Sequence, residues 1–283
     1  MNNRPVAFIT GASRGIGAET AKEFALAGYQ TVLLADDAAA LDEVGRQCEQ
    51  QGCLPLLLPG DLSDLQFAEQ AVSTAVKSFG RIDVLINNAA WRDLVTMKQI
   101  SLESWEKTLR ICLTAPAFLA RWCAARMEPA RRGVILNISS IQSRFPAGIS
   151  PAYVAAKGGL DALTYELATL YGPAGIRVIS INPGAIDTAL SQNGVAGDFD
   201  QRLRAYVENM IPLQRYGTAG EIARFLVLIA SDAASYLTGT CLDIDGGWFH
   251  QCSPYAFKQE QFPEDYLPQR EEALSSNKET GSL

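Results

Sequence analysis

Val6-Ala-Phe-Ile-Thr10-Gly-Ala-Ser-Arg14-Gly-Ile-Gly17 is an apolar run that breaks into glycines and then opens a helical pattern. Val6 to Ile9 read as a buried strand, and Ile16, Ala21, Phe24 and Ala25 continue as a helix that stops near Gly28. The order is strand, glycine loop, helix. Gly11, Gly15 and Gly17 let the backbone turn tightly and come close to a ligand, while the helix start offers amide donors to a pyrophosphate. The spacing is G-x-x-x-G-x-G, not the common G-x-G-x-x-G dinucleotide fingerprint. Such glycines can be purely structural, but three of them between a strand and a helix favour nucleotide binding.

The same alternation continues outward. Thr31 to Ala35 is a second strand, ending in Asp36 and Asp37. One of these acids suits the ribose hydroxyls of NAD and repels a 2′-phosphate; the other suits the cap of a helix over Ala38 to Cys48. Arg14 pulls the other way, since a cation there welcomes the phosphate of NADP. Further strands are expected over Leu54–Leu58, Ile82–Ile86, Gly133–Ile138, Arg177–Ile181 and Cys241–Asp245. Helices are expected over Phe67–Phe79, Trp105–Met127 (interrupted around Cys112 to Pro116) and Glu221–Ala230. This pattern predicts an α/β fold, a doubly wound parallel sheet of about seven strands with helices on both faces. Polar and glycine signals fall just after the strands, where open sheets of this kind bind ligands. No linker or repeat divides the chain, so residues 1–250 are expected to form a single domain, with 251–283 as a C-terminal extension.

Tyr153 and Lys157 stand one turn apart on a helix expected from Ser150-Pro151 to about Tyr171, where Gly172 and Pro173 stop it. A cation held close to a tyrosine favours its phenolate, which suits proton exchange near neutral pH. Composition removes competing chemistries. The 283 residues are 48% hydrophobic and 19% charged, with a net charge of −7 that argues against general nucleic-acid binding. His250 is the only histidine, so neither a Ser-His-Asp relay nor a histidine-rich metal site is expected. The six cysteines form no CxxC pair, no apolar run spans a bilayer, and the start lacks a secretory apolar segment. The expectation is a cytoplasmic protein with reduced thiols, no membrane association and no metal.

Taken together, these motifs resemble the short-chain dehydrogenase/reductase family over about residues 4 to 248. Thr10 to Gly17 is similar to its TGxxxGxG cofactor loop, Asp61-Leu62 to its adenine-contacting pair, and Asn87-Asn88-Ala89 to most of its NNAG element. Ser140, Tyr153 and Lys157 match its catalytic serine and Y-x-x-x-K pair. Asn182-Pro183-Gly184 with Thr188 resembles its nicotinamide-side loop, and Ser231 to Gly239 with Asp245-Gly-Gly247 its closing segment. The resemblance implies a Rossmann-like fold and hydride transfer between a nicotinamide cofactor and a carbonyl or alcohol carbon. Tyr153 would exchange the proton, Ser140 would hydrogen-bond the substrate oxygen, and Lys157 would hold the nicotinamide ribose. Gly11, Ser13, Arg14, Gly15, Ile16, Gly17, Asp36, Asp61, Leu62, Asn88, Ala89, Pro183, Gly184, Ile186 and Thr188 would join Tyr153 and Lys157 around the cofactor. Ser139 is a turn residue without chemistry. The chain departs from the family pattern at Ala90, where a glycine is usual, and at Cys112, where the catalytic asparagine usually stands. That asparagine helps fix a helix kink whose carbonyl holds a water, and a thiol hydrogen-bonds less well than an amide.

The helix after Ser150 also places Ala155, Gly158, Gly159 and Ala162 opposite Leu160, Leu163 and Leu167. Two mid-helix glycines cost about 1 kcal/mol each relative to alanine, which points to close approach by another helix, in line with the dimers and tetramers the resemblance implies. A homodimer or homotetramer is expected. Residues 188–216 would form a mobile substrate loop carrying Leu190, Val195, Phe199, Tyr206 and Met210, with Gly194 and Gly197 allowing motion. Tyr255, Phe257, Phe262 and Tyr266 would dock the extension on its own or a neighbouring subunit, and residues 271–283 are polar enough to be disordered. The favoured activity is an oxidoreductase on a small alcohol or ketone, sugars and polyols included, with NAD preferred. The alternatives are a 3-oxoacyl thioester reductase that docks acyl carrier protein on Arg121, Arg126, Arg131 and Arg132, and a regulatory nucleotide-binding protein impaired at Cys112.

Overall fold

A computed structural model of the chain describes residues 4–188 and 198–266. Its main sheet contains β1 Val6–Thr10, β2 Gln30–Ala35, β3 Leu56–Pro59, β4 Val84–Asn87, β5 Gly133–Ile138, β6 Ile176–Pro183 and β9 Thr240–Ile244. A small separate pair joins β7 Ile186–Asp187 to β8 Gly217–Thr218. The helices are α1 Gly15–Leu26, α2 Ala38–Glu49, α3 Leu65–Phe79, α4 Leu102–Leu109, α5 Ala115–Met127, α6 Pro151–Tyr171, α7 Asp198–Met210, α8 Ala219–Ala230 and α9 Tyr255–Gln261. The seven strands run parallel in the order β3-β2-β1-β4-β5-β6-β9. Strand order reverses between β1 and β4, and a crevice for a ligand opens at that point beyond their carboxyl ends. This is the doubly wound sheet read from the sequence.

Burial on both faces makes the strands continuous apolar runs, and the side-chain alternation divides them between two cores. Ala7 and Ile9 join Leu33 and Ile86 in packing on α1, α2 and α8. Val6 and Phe8 join Val32, Leu34 and Leu85 on the opposite side, against α3, α5 and α6. Several boundaries shift from the sequence expectation for local reasons. β3 begins at Leu56 because Pro55 has no N–H for a ladder and Leu54 is 69% exposed. β4 begins at Val84 because the Asp83 carboxylate accepts the Val6 N–H at 2.8 Å. α8 begins at Ala219 because Thr218 and Glu221 form a reciprocal capping box, in which the Arg215 guanidinium and the Thr218 N–H hold the Glu221 carboxyl down at about 2.

Two contacts shape α6. Ser150 occupies the cap position, but its hydroxyl turns to Gln142 Oε1 at 3.5 Å and caps nothing. Gly159 has a use within the chain, since a Cβ there would lie 3.0 Å from Leu113 Cδ2. All six cysteines are free, and burial drives the Cys48 thiol up to about 12. Among the described residues no helix is long and apolar enough to cross a membrane, and no cluster has metal-ligand composition. The extension docks on its own chain: Asn209 Oδ1 of α7 accepts the Ala256 N–H of α9 at 2.7 Å. Residues 267–283, and with them the polar end, lie outside the described residues.

Candidate active site

The glycine loop lines one side of the crevice. Gly11 and Gly15 have φ of +64° and +56°, conformations that favour glycine. A Cβ on Gly11 would fall 2.8 Å from Ala89 Cα, and one on Gly17 2.0 Å from the Gly11 carbonyl oxygen. The loop and the end of β4 are therefore in direct backbone contact. Thr10 ties them together, its Oγ1 accepting the Asn88 and Ala89 N–H groups at 3.0 Å each. Asn88 Nδ2 donates to the carbonyls of Thr10 and Gly11. α1 starts behind Arg14, whose side chain gives it no cap, so its first amides remain available to an anion. The crevice fits a dinucleotide pyrophosphate on these grounds. Ser13 is buried, Ile16 and Ala89 are half-buried, and Arg14 is exposed.

At the adenosine end the structure separates the two acids. Asp37 Oδ1 accepts the Ala40 N–H and caps α2, which leaves Asp36 exposed at the end of β2. Leu62 is buried, whereas Asp61 spends one carboxylate oxygen on the Ser63 N–H at 2.8 Å. Across the crevice, Pro183 ends β6 and Gly184 passes so close to Asp245 that a Cβ would lie 2.7 Å from its Cα. Ile186 is buried in β7, and Thr188 faces the glycine loop, 3.4 Å from where a Gly15 Cβ would sit.

Tyr153 is 7% exposed and Lys157 2%. The Lys157 ammonium lies 5.3 Å from the centre of the Tyr153 ring and donates to the Ile138 carbonyl at 2.6 Å. That carbonyl closes β5, two residues before Ser140. Ser139 Oγ donates to the Lys157 carbonyl at 3.2 Å, a structural tie between strand and helix. Ser140 Oγ accepts the Gln142 N–H at 3.1 Å and opens the turn Ile141–Ser143. The structure thus sets the Tyr153–Lys157 pair of α6 against the end of β5, from which Ser140 follows two residues on.

The helix interruption is a π turn, Arg110–Thr114, between α4 and α5. Pro116 accounts for it: proline has no N–H to give the Cys112 carbonyl four residues back, and its ring crowds that carbonyl. The kink therefore depends on Pro116 and survives cysteine at position 112. The Cys112 thiol is buried against Tyr153 and Ala156. Its Sγ accepts the Trp91 N–H at 3.5 Å and donates to the Trp91 carbonyl at 3.4 Å.

Sequence reasoning missed a buried polar belt that braces these parts. Asn87 Nδ2 donates to Asn137 Oδ1 and to the Pro116 carbonyl, and Asn137 Nδ2 donates to Thr164 Oγ1. Asp161 accepts from Ser180 Oγ at 2.7 Å and Asn182 Nδ2 at 3.4 Å. Asn87 and Asn182 stand in motifs already read from the sequence, but Asn137, Asp161, Thr164 and Ser180 carry no recognisable spacing, because strand pairing sets their contacts. Of the lid residues, Leu190, Gly194, Val195 and Gly197 lie outside the described residues; Tyr206 is exposed on α7 and Met210 half-buried. In the basic patch, Arg131 donates to the Pro173 carbonyl and Arg132 pairs with Asp232.

Sheet topology and crevice define the class: a dinucleotide-binding α/β protein with a tyrosine–lysine pair at the mouth of its site. A family model described as Enoyl-(Acyl carrier protein) reductase matches residues 11–249. The chain is 34% identical over 244 residues to a cis-4-hydroxycyclohexanecarboxylate dehydrogenase of Sinomonas cyclohexanicum, covering 86% of this chain and 96% of that one. It is 33% identical over 246 residues to an L-rhamnose 1-dehydrogenase (NAD(P)(+)) of Azotobacter vinelandii, covering 85% and 95%. A crystal structure of a short-chain type dehydrogenase/reductase from Mycobacterium marinum superposes with a TM-score of 0.79 at 28% identity, covering 86% and 95%. The chain belongs to the short-chain dehydrogenase/reductase family and is an NAD(P)-dependent oxidoreductase acting on CH–OH groups.

Proposed function

We propose that this protein interconverts a small secondary alcohol and its ketone, with Tyr153 as the acid–base group and NAD as the preferred cofactor. The observation that carries this reading is the buried Lys157 ammonium beneath the Tyr153 ring, anchored on the Ile138 carbonyl. A cation fixed there steadies the phenolate each time the proton leaves Tyr153 Oη. In oxidation Tyr153 Oη takes the substrate hydroxyl proton, and in reduction it returns it. Ser140 Oγ donates to the same oxygen and stabilises the charge that develops on it. Bound NAD(P) supplies the hydride acceptor or donor at its nicotinamide. Cys112 is a positioning residue that holds Trp91 against the π turn.

Gly11, Ser13, Gly15, Ile16 and Gly17 would cradle the pyrophosphate, with Asn88 and Ala89 closing the loop. Leu62 with Asp61 would flank the adenine, and Pro183, Gly184, Ile186 and Thr188 the nicotinamide. NAD is preferred because Asp37 is committed to α2, leaving the Asp36 carboxylate at the ribose end to repel a 2′-phosphate. Relatives acting on L-rhamnose and on a hydroxycyclohexanecarboxylate support a small polar alcohol as substrate. Assaying a broad alcohol and ketone panel with both cofactors tests the whole reading. Turnover with NAD(H) exceeding that with NADP(H) is expected; tight NAD(H) binding with no turnover anywhere on the panel would favour a regulatory protein. A preference for NADPH would remove the role given to Asp36.

Residues 1–250 form the catalytic domain in this proposal, and the described part of 251–283 braces α7 through Asn209. The subunits associate as a homodimer or homotetramer through the small-residue face of α6, where Ala155 and Ala162 are exposed. Light scattering is expected to return at least twice the chain mass of 30.6 kDa; a monomeric mass at assay concentration rules the association out.

A further inference from the structure

We infer that Arg92 binds a carboxylate on the substrate, so that the alcohol oxidised at Tyr153 belongs to a hydroxy acid. The inference rests on Tyr153 being the reacting acid–base group. The Arg92 guanidinium carbon lies 5.8 Å from the centre of the Tyr153 ring, almost as near as the Lys157 ammonium at 5.3 Å. The two cations differ in their surroundings. Lys157 is almost fully buried, whereas Arg92 is half-buried on the loop that leaves β4. A guanidinium presents paired N–H donors in a plane, a geometry that matches a carboxylate and that an uncharged alcohol cannot use.

The loop is built to hold Arg92 in place. On one flank, the N–H and carbonyl of Trp91 both bond to Cys112 Sγ, and the Trp91 ring lies 4.8 Å from the Lys107 ammonium. On the other, Asp93 Oδ2 accepts from Ser104 Oγ at 3.1 Å. Upstream, Asn88 is bonded to the glycine loop. The Trp91 backbone is thus tied to the π turn and the Asp93 side chain to α4, and this frame carries the guanidinium to the tyrosine. The π-turn cysteine acquires a purpose here: by holding Trp91 it sets the position of the next residue.

The test compares 2-hydroxy and 3-hydroxy acids of three to six carbons with their methyl esters, using the cofactor-loaded enzyme, NAD and NADP in turn. Wild type is expected to favour acids over esters in kcat/KM. Arg92→Gln should reduce that acid-to-ester ratio by about 10- to 100-fold, the effect of losing a charge-assisted hydrogen bond. Arg92→Lys keeps the charge without the fork and should fall between. A wild-type ratio near unity, a preference that survives in Arg92→Gln, or equal loss on acid and ester would overturn the inference; the last outcome would mean Arg92 acts on Tyr153 itself. Absence of turnover on every alcohol would defeat the oxidoreductase reading instead. Titration calorimetry of NAD-loaded protein with unreactive cyclohexanecarboxylate then decides the matter. Binding lost in Arg92→Gln upholds the carboxylate site, and no binding to wild type overturns it.

Discussion

Tyr153→Phe is expected to lose turnover by about 10³-fold, within the range for removing a general acid–base group, while retaining NAD(H) binding. Phenylalanine keeps the ring and its packing against Ile111, Cys112 and Ala156. It also keeps a π face toward Lys157 and Arg92. What disappears is the hydroxyl proposed to exchange a proton with the substrate oxygen. The check is steady-state kcat beside a cofactor fluorescence titration on the same preparation. Retention of a tenth of the wild-type rate would exclude Tyr153 Oη as proton carrier. Cys112→Ala belongs in the same assay because it separates holding from reacting. It removes both contacts to Trp91 but leaves Pro116, so the π turn should persist and the rate should fall by about tenfold, roughly what one lost hydrogen bond costs. A loss as large as that of Tyr153→Phe would put the thiol in the proton path.

The sheet was legible because its strands are buried on both faces, so Val6 to Ile9 and Gly133 to Leu136 appear as unbroken apolar runs. The glycine loop and the Tyr153–Lys157 pair were legible because both depend on spacing within one short segment. Contacts made across the fold were not. Choosing Asp37 over Asp36 as the helix cap required the Ala40 N–H to be located. Gly159 appears in the sequence as a helix surface, yet Leu113 packs over it from the π turn. Cys112 looked like the loss of an amide; the structure assigns the kink to Pro116 and gives the thiol the backbone of Trp91. Arg92 drew no notice because a lone arginine after Asn-Asn-Ala-Ala-Trp has no periodicity, and only the return of α6 to the end of β5 sets it against Tyr153. Side-chain chemistry assembled from separate strands is invisible until register and strand order are known.

Gly17→Ala should raise the dissociation constant for NAD(H) at least 100-fold, a loss of nearly 3 kcal/mol, while the protein still folds. The added methyl would stand 2.0 Å from the Gly11 carbonyl oxygen and 2.5 Å from Asn88 Nδ2. Neither neighbour can yield. Gly11 holds a left-handed φ and has no room toward Ala89, and Asn88 is committed to the carbonyls of Thr10 and Gly11. Relief therefore has to come from α1 withdrawing from the loop, which misplaces the amides meant for the pyrophosphate. Overpacking of this kind costs about 1–3 kcal/mol, and alanine's helix preference returns about 1 kcal/mol, so the melting temperature should drop only a few degrees. Gly28→Ala provides the comparison. Its φ is +87° and nothing lies within 4 Å of the new methyl, so it carries a local backbone penalty far from the cradle and should bind cofactor as wild type does. If Gly17→Ala bound NAD(H) as tightly as Gly28→Ala, the cofactor would not lie against this loop, and Tyr153 would lose its hydride partner.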